Sequence, residues 1–133
     1  MIQGISHITF IVSDLDKMSK LLTHIFDAKE VYSSGDQTFS LSREKFFLIG
    51  SIWIAIMEGK ALPEKTYNHV AFKIEEADVE KFVARIKDLG LEMKGARGRV
   101  EGEGQSLYFY DYDNHLFELH TGKLEDRLAT YAK

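Results

Sequence analysis

Two histidines and one glutamate hold matching places in two similar halves of the chain, and together they could bind a divalent metal ion. His69 and its neighbours, residues 67–74, repeat the pattern that surrounds His7 in residues 5–12, at an offset of 62 residues. Two imidazoles and one carboxylate bind such an ion while leaving positions open for water or a substrate. A single histidine on a strand is usually an ordinary residue, so the duplication is what favours a metal site.

A second repeat supplies the carboxylate. Residues 53–59 and 116–122 are both alternating apolar strands that end in glycine, and Ala55 of the first copy corresponds to Glu118 of the second. His120 shares the face of Glu118 and is the main rival ligand, because side chains two apart on a strand point the same way. His24 and His115 look like helix-surface and turn residues.

Composition limits the classes of function. A chain of 133 residues with 44% hydrophobic and 29% charged content fits one globular domain with a real core. A net charge of −4 and a pI near 5.7 provide no general reason to bind nucleic acid or an anionic membrane. The absence of cysteine excludes disulfides and thiolate ligands and fits a cytoplasmic protein, and charges interrupt every apolar segment before membrane-spanning length.

The repeat predicts a pseudo-symmetric α+β fold in one domain. Module one covers about 1–60, module two about 66–122, and a last helix about 124–132. Apolar periodicity predicts a first helix that is capped by Asp14 or Asp16 and runs to about Phe26, and a second helix in module two that stops at Gly90. Predicted strands cover 5–12, 30–33, 46–49, 52–57, 67–74, 106–112 and 115–121. Glu44 then lies at a strand entrance, in a polar stretch.

The sequence resembles the vicinal oxygen chelate superfamily and, within it, the fosfomycin resistance proteins of the FosX epoxide-hydrolase type. The segments that carry the resemblance span nearly the whole chain: 4–9, 32–36, 39–49, 66–69, 108–111 and 114–120. The resemblance implies two paired βαβββ modules that form a cupped mixed sheet, the glyoxalase, bleomycin resistance and dioxygenase fold.

The resemblance also implies a mechanism. His7, His69 and Glu118 would bind Mn(II), which would act as a Lewis acid on the epoxide of fosfomycin. Glu44, in its Arg-Glu-Lys context, would be the general base that activates water. This glutamate points to the hydrolase branch, because the related thiol transferases use an external thiol as nucleophile.

A phosphonate substrate needs local hydrogen-bond donors and positive charge in this acidic protein. The expected substrate-binding residues are Thr9, Tyr67, Lys94, Arg97, Ser106, Tyr108 and Arg127. Lys94, Arg97 and Arg99 lie in or beside one glycine-rich loop and cannot be separated from one another by sequence. Trp53 and Phe46 could form the wall around the small substrate, or could simply be core residues.

The paired modules imply a homodimer with swapped modules, in which His7 serves the site of the neighbouring chain. Three other functions remain open at this point. They are a fosfomycin thiol transferase with the same pocket, a non-haem iron dioxygenase with the same ligand types, and a non-catalytic protein that binds and sequesters a drug.

Overall fold

The two halves of the repeat fold into two units with the same strand order. The computed structural model describes residues 1–38, 41–94 and 104–132. The first unit comprises Met1–Lys65 and Tyr112–Asn114, and the second comprises Thr66–Asp111 and His115–Lys133. Each contains a four-stranded mixed sheet, as the α+β prediction requires.

The first unit orders its strands β1-β4-β3-β2, with β1 parallel to β4 and the other neighbours antiparallel. These strands are β1 His7–Val12, β2 Lys29–Ser33, β3 Glu44–Ile49 and β4 Ile52–Glu58, and helix α1 is Leu15–Phe26. The predicted third strand begins two residues earlier than expected. Glu44 is therefore a strand residue, and its side chain shares a face with Phe46.

Helix α1 forms where its caps and apolar spacing predict. The Asp14 carboxylate accepts a hydrogen bond from the Lys17 N–H at 3.0 Å, which satisfies one of the free donors of the first turn. The helix ends at Asp27, in the left-handed conformation with φ 55°. One face of α1 is buried. It consists of Leu15, Met18, Leu21, Leu22, Ile25 and Phe26.

The second unit repeats the arrangement with strand order β5-β8-β7-β6. Its elements are β5 His69–Lys73, α2 Val79–Asp88, β6 Met93–Lys94, β7 Ser106–Tyr110, β8 Leu116–His120 and a final helix α3 Leu124–Tyr131. The two-residue strand β6 is the one that hydrophobic patterning missed, because two residues show no periodicity. No helix in the described ranges is long and apolar enough to cross a membrane.

The repeat extends to the register of the strands. His7 lies opposite Trp53 in the first unit, and His69 lies opposite Leu116 in the second. Two residues further along, Thr9 pairs with Ala55, and Ala71 pairs with Glu118. Glu118 thus stands where the first unit has alanine, as the sequence repeat predicts.

A buried carboxylate stabilises the turn after β7. The Asp113 side chain accepts a hydrogen bond from the Ser13 N–H at 3.0 Å, and Asp113 is 1% exposed. Replacement Asp113→Ala leaves that N–H without its acceptor, so the free energy of unfolding should fall by about 1–3 kcal/mol. Chemical denaturation measures this change. Glu64→Ala, at an exposed position, is the control and should change stability by less than about 0.5 kcal/mol; equal effects would contradict the prediction.

Candidate metal centre and active site

Two of the three expected metal ligands meet on the sheet of the second unit. His69 Nε2 lies 2.9 Å from Glu118 Oε1, with the His69 side chain 23% exposed and that of Glu118 7% exposed. Strands β5 and β8 are parallel neighbours, and both side chains point to the same face. Within residues 1–38, 41–94 and 104–132, no three His, Asp or Glu side chains are grouped as a metal site. The second unit therefore brings together two of the three expected ligands.

The hydrogen bond of His69 sets its tautomer. Nδ1 lies 2.7 Å from the carbonyl oxygen of Tyr67, and a carbonyl oxygen can only accept, so Nδ1 carries the hydrogen. The neutral ring then presents the lone pair of Nε2 to Glu118. A backbone carbonyl that orients a ligating imidazole in this way is usual in metal sites.

This pair fits a divalent ion. A neutral Nε2 and a carboxylate oxygen are both acceptors, so their close approach calls for a proton or a cation between them. Two ligand atoms about 2.1 Å from an ion and at right angles to each other are about 3.0 Å apart, close to the observed separation. The donors are nitrogen and oxygen, which suit Mn(II) among other divalent ions.

Three side chains orient Glu118 through a directed chain of hydrogen bonds. Arg127 can only donate, so its Nη2, 3.2 Å from His120 Nε2, makes that nitrogen an acceptor. His120 Nδ1 therefore carries the hydrogen, and it donates to Ser106 Oγ at 2.7 Å. Ser106 Oγ in turn donates to Glu118 Oε2. Every donor in the chain points toward the carboxylate.

These contacts keep the buried carboxylate charged. Burial, the largest influence, acts to raise the pKa of Glu118, because it disfavours the charged form. Hydrogen bonds from Ser106 and Tyr108 act in the opposite direction, and the pKa lies below its ordinary value. Glu118 is thus a carboxylate, the form that binds a metal, throughout the neutral range.

His120, the rival ligand, is engaged elsewhere. Its Nε2 accepts from Arg127 and its Nδ1 donates to Ser106, so in this arrangement both ring nitrogens already have partners. Sequence reasoning missed this supporting position. The sequence did contain a signal for this contact. A hairpin centred on Asp113 pairs Ser106 with His120 and Tyr108 with Glu118, and this is the register that the structure shows.

The other expected substrate-binding residues of the second unit lie on the same face. The hydroxyl oxygens of Tyr67 and Tyr108 are 3.0 Å apart, and both rings lie beside His69, at centroid distances of 4.8 and 5.6 Å. Lys94 pairs with Tyr108 across β6 and β7 and is exposed. Arg97 and Arg99 lie outside the described residues.

The first unit carries the remaining candidates on one face of its sheet. His7 and Thr9 are exposed neighbours on β1, and Glu44 on β3 points to the same side. Glu44 is level with Ile11 across the sheet, four positions along β1 from His7.

An aromatic row occupies this face beside His7. The ring centroids of His7 and Trp53 are 4.2 Å apart, and those of Trp53 and Phe46 are 5.2 Å apart. The buried Nε1–H of Trp53 has no hydrogen-bond partner among the described residues. A buried donor without an acceptor costs about 1–3 kcal/mol, so this is a place where an acceptor from elsewhere would stabilise the protein.

Comparison with known proteins decides the family. Residues 4–119 match the Glyoxalase/Bleomycin resistance protein/Dioxygenase superfamily. The chain is 62% identical, over the full length of both proteins, to the fosfomycin resistance protein FosX of Listeria innocua. This chain belongs to the FosX group of that superfamily. The sequence-based identification is confirmed.

Two further relatives place the chain more finely. A crystal structure of a FosX variant from Listeria monocytogenes, in complex with Mn(II) and 1S,2S-dihydroxypropylphosphonic acid, has a TM-score of 0.90 and 58% identity, and the match covers 98% of this chain and 99% of the other. A metallothiol transferase FosB of Shouchella clausii is 38% identical over 100% of this chain and 90% of its own length. The FosX-type fold is confirmed, and the transferase group is more distant.

Removing the side chain of His120 should weaken metal binding without removing a ligand. In His120→Phe, Ser106 loses the hydrogen bond from His120 Nδ1, so its remaining bond to Glu118 is less well fixed, and the affinity for Mn(II) should fall about 10–100-fold. Titration with Mn(II), followed by the electron paramagnetic resonance of the free ion, measures this affinity. His24→Phe on the exposed surface of α1 is the control and should bind like the parent; tight binding by His120→Phe would contradict the prediction.

Proposed function

We propose that this chain inactivates fosfomycin by adding water to its epoxide, with Mn(II) as cofactor and with Glu44 as general base. The observation that carries the proposal is the full-length identity of 62% to a FosX protein. A similar FosX variant is known in complex with Mn(II) and a dihydroxypropylphosphonic acid. That compound is the diol expected when water opens the epoxide. The proposed location is the cytoplasm.

His7, His69 and Glu118 are the proposed metal ligands. The tautomer of His69 and the charge of Glu118 support this assignment, because both groups present lone pairs at a spacing that suits one ion. When bound, Mn(II) acts as a Lewis acid that stabilises the negative charge developing on the epoxide oxygen.

Glu44 acts on the attacking water. Its carboxylate accepts a proton as the water oxygen forms a bond to an epoxide carbon, and the bond between that carbon and the epoxide oxygen breaks. The released alkoxide then takes up a proton, so the net change is the addition of one water molecule. Glu44 shares the sheet face of His7 and is half-buried at the start of β3, which supports this role.

The phosphonate requires donors and positive charge around it. Side chains that suit this role are Thr9 of the first unit, and Tyr67, Lys94, Ser106, Tyr108 and Arg127 of the second, and Arg97 completes the proposed set. Arg127 contacts His120 through Nη2 and has further N–H groups that it can donate to the phosphonate. Ser106 has one hydroxyl hydrogen, which it donates to Glu118, so in the proposed complex it would have to turn that hydrogen toward the phosphonate.

Replacing the proposed base tests the reaction. Glu44→Gln keeps the size of the side chain but cannot take a proton, so kcat should fall about 10²–10⁴-fold. Phosphorus NMR of fosfomycin with the Mn(II)-loaded protein measures diol formation. Glu64→Gln is the control and should leave the rate unchanged. Parental hydrolysis by Glu44→Gln would contradict the role of Glu44.

The second candidate is a thiol transferase, favoured by the 38% identity to FosB. The same spectra, recorded with and without an added thiol, separate the two functions. Diol formed without thiol supports the hydrolase, whereas an adduct formed only with thiol would move the chain to the transferase group.

We further propose that the protein is a homodimer with swapped modules, in which His7 of one chain completes the site formed by His69 and Glu118 of the other. The pairing of two ligands in the second unit, with His7 in the first, supports this arrangement.

Complementation tests the swapped dimer. If His7→Ala and Glu118→Ala chains are unfolded and refolded together, each mixed dimer should regain one intact site, so about a quarter of the parental activity should return. A mixture of His69→Ala and Glu118→Ala is the matched control, because those ligands come from the same chain and no intact site can form. Activity in neither mixture, despite mixed dimers in native mass spectrometry, would contradict swapping.

A further inference from the structure

The start of strand β3 contains an irregular hydrogen-bonding pattern that involves Glu44 directly. Ser33 of β2 pairs with Lys45 of β3, so the next pair along the two antiparallel strands is Ser34 with Glu44. Half of that pair is ordinary, because the Ser34 N–H donates to the Glu44 carbonyl at 3.0 Å. A regular pair would also have the Glu44 N–H donate to the Ser34 carbonyl.

The side chain of Ser34 replaces that missing carbonyl. The Ser34 carbonyl is turned away and accepts from the Gln37 N–H at 3.0 Å. The Glu44 N–H donates instead to Ser34 Oγ, also at 3.0 Å. One buried serine, 9% exposed, therefore satisfies both backbone groups of Glu44.

The opposite side of the strand is held through the preceding residue. The Glu58 N–H donates to the Arg43 carbonyl at 2.9 Å, and the Arg43 guanidinium contacts both carboxylate oxygens of Glu58. Of the contacts that hold the start of β3, the hydrogen bond from the Glu44 N–H to Ser34 Oγ is the one that depends on a single hydroxyl. Strand ends fray when such bonds are lost, because few other contacts fix them.

We propose that Ser34 is a positioning residue for the active site, whose hydroxyl fixes the backbone of Glu44 so that its carboxylate can act on water. This inference rests on the proposed function of Glu44. Displacement of a reacting group by about 1 Å can cost about 10²-fold in rate, so the loss of the hydrogen bond between the Glu44 N–H and Ser34 Oγ should lower kcat. The loss of this bond does not change the proposed metal ligands or the phosphonate-binding residues, so KM and the affinity for Mn(II) should stay the same.

The test compares Ser34→Ala with Ser34→Thr and Ser33→Ala in the Mn(II)-loaded enzyme. Ser34→Ala removes the hydroxyl, and kcat should fall about 10–100-fold while KM and the Mn(II) affinity stay at parental values. Ser34→Thr keeps a hydroxyl and should restore kcat. Ser33→Ala is the matched control, because the exposed Ser33 hydroxyl only accepts from the Gly35 N–H.

A second measurement does not depend on activity. Hydrogen exchange of the Glu44 amide, followed by NMR, should accelerate about tenfold or more in Ser34→Ala and not in Ser33→Ala. Unchanged exchange in Ser34→Ala, or a kcat loss that Ser33→Ala shares and Ser34→Thr does not reverse, overturns the proposal. A slow Glu44→Gln enzyme with a fully active Ser34→Ala enzyme overturns the role of Ser34 alone. A fully active Glu44→Gln enzyme overturns the function of Glu44 and, with it, the catalytic role of Ser34.

Discussion

A buried charge at Glu118 is the constraint on which the second unit depends. An ionised carboxylate removed from water is strongly unfavourable unless hydrogen bonds or an opposite charge compensate it. Here one oxygen is satisfied by Ser106, behind which His120 and Arg127 form a chain of donors. The other oxygen faces His69. Because a divalent cation is the strongest compensation available to such a pair, the same contacts that make the burial tolerable also suit the proposed metal site.

The two units use one architecture for different purposes. The position of Glu118 in the second unit is alanine in the first, at Ala55, and aromatic rings lie along that sheet face instead. The first unit contributes His7 and Glu44 without a buried carboxylate of its own at this position. The one carboxylate among the proposed ligands therefore belongs to the second unit, and the proposed base and the aromatic row belong to the first, which also carries His7.

Much of this arrangement follows from local patterns in the chain. Alternation along β1 places His7 and Thr9 on one face, and apolar spacing with an Asp14 cap defines α1. The repeat predicts that Glu118 corresponds to Ala55. By contrast, Glu44 was expected at the entrance of a strand within a polar stretch, and it is the first residue of β3. A polar segment gives no periodicity, so the strand boundary depended on pairing with Ser34 and Met57, which patterning does not detect.

The amino-acid sequence by itself determined the duplicated α+β architecture and the FosX group, because these depend on residue identity and spacing along one chain. Tertiary structure decided which hydrogen-bond partners the residues of the proposed site have. The tautomer of His69 depends on a backbone carbonyl two residues away, and the orientation of Glu118 on strand β8 depends on Arg127 of helix α3. Hydrogen-bond direction is a property of atoms brought within about 3 Å of one another, and only the folded chain sets those distances.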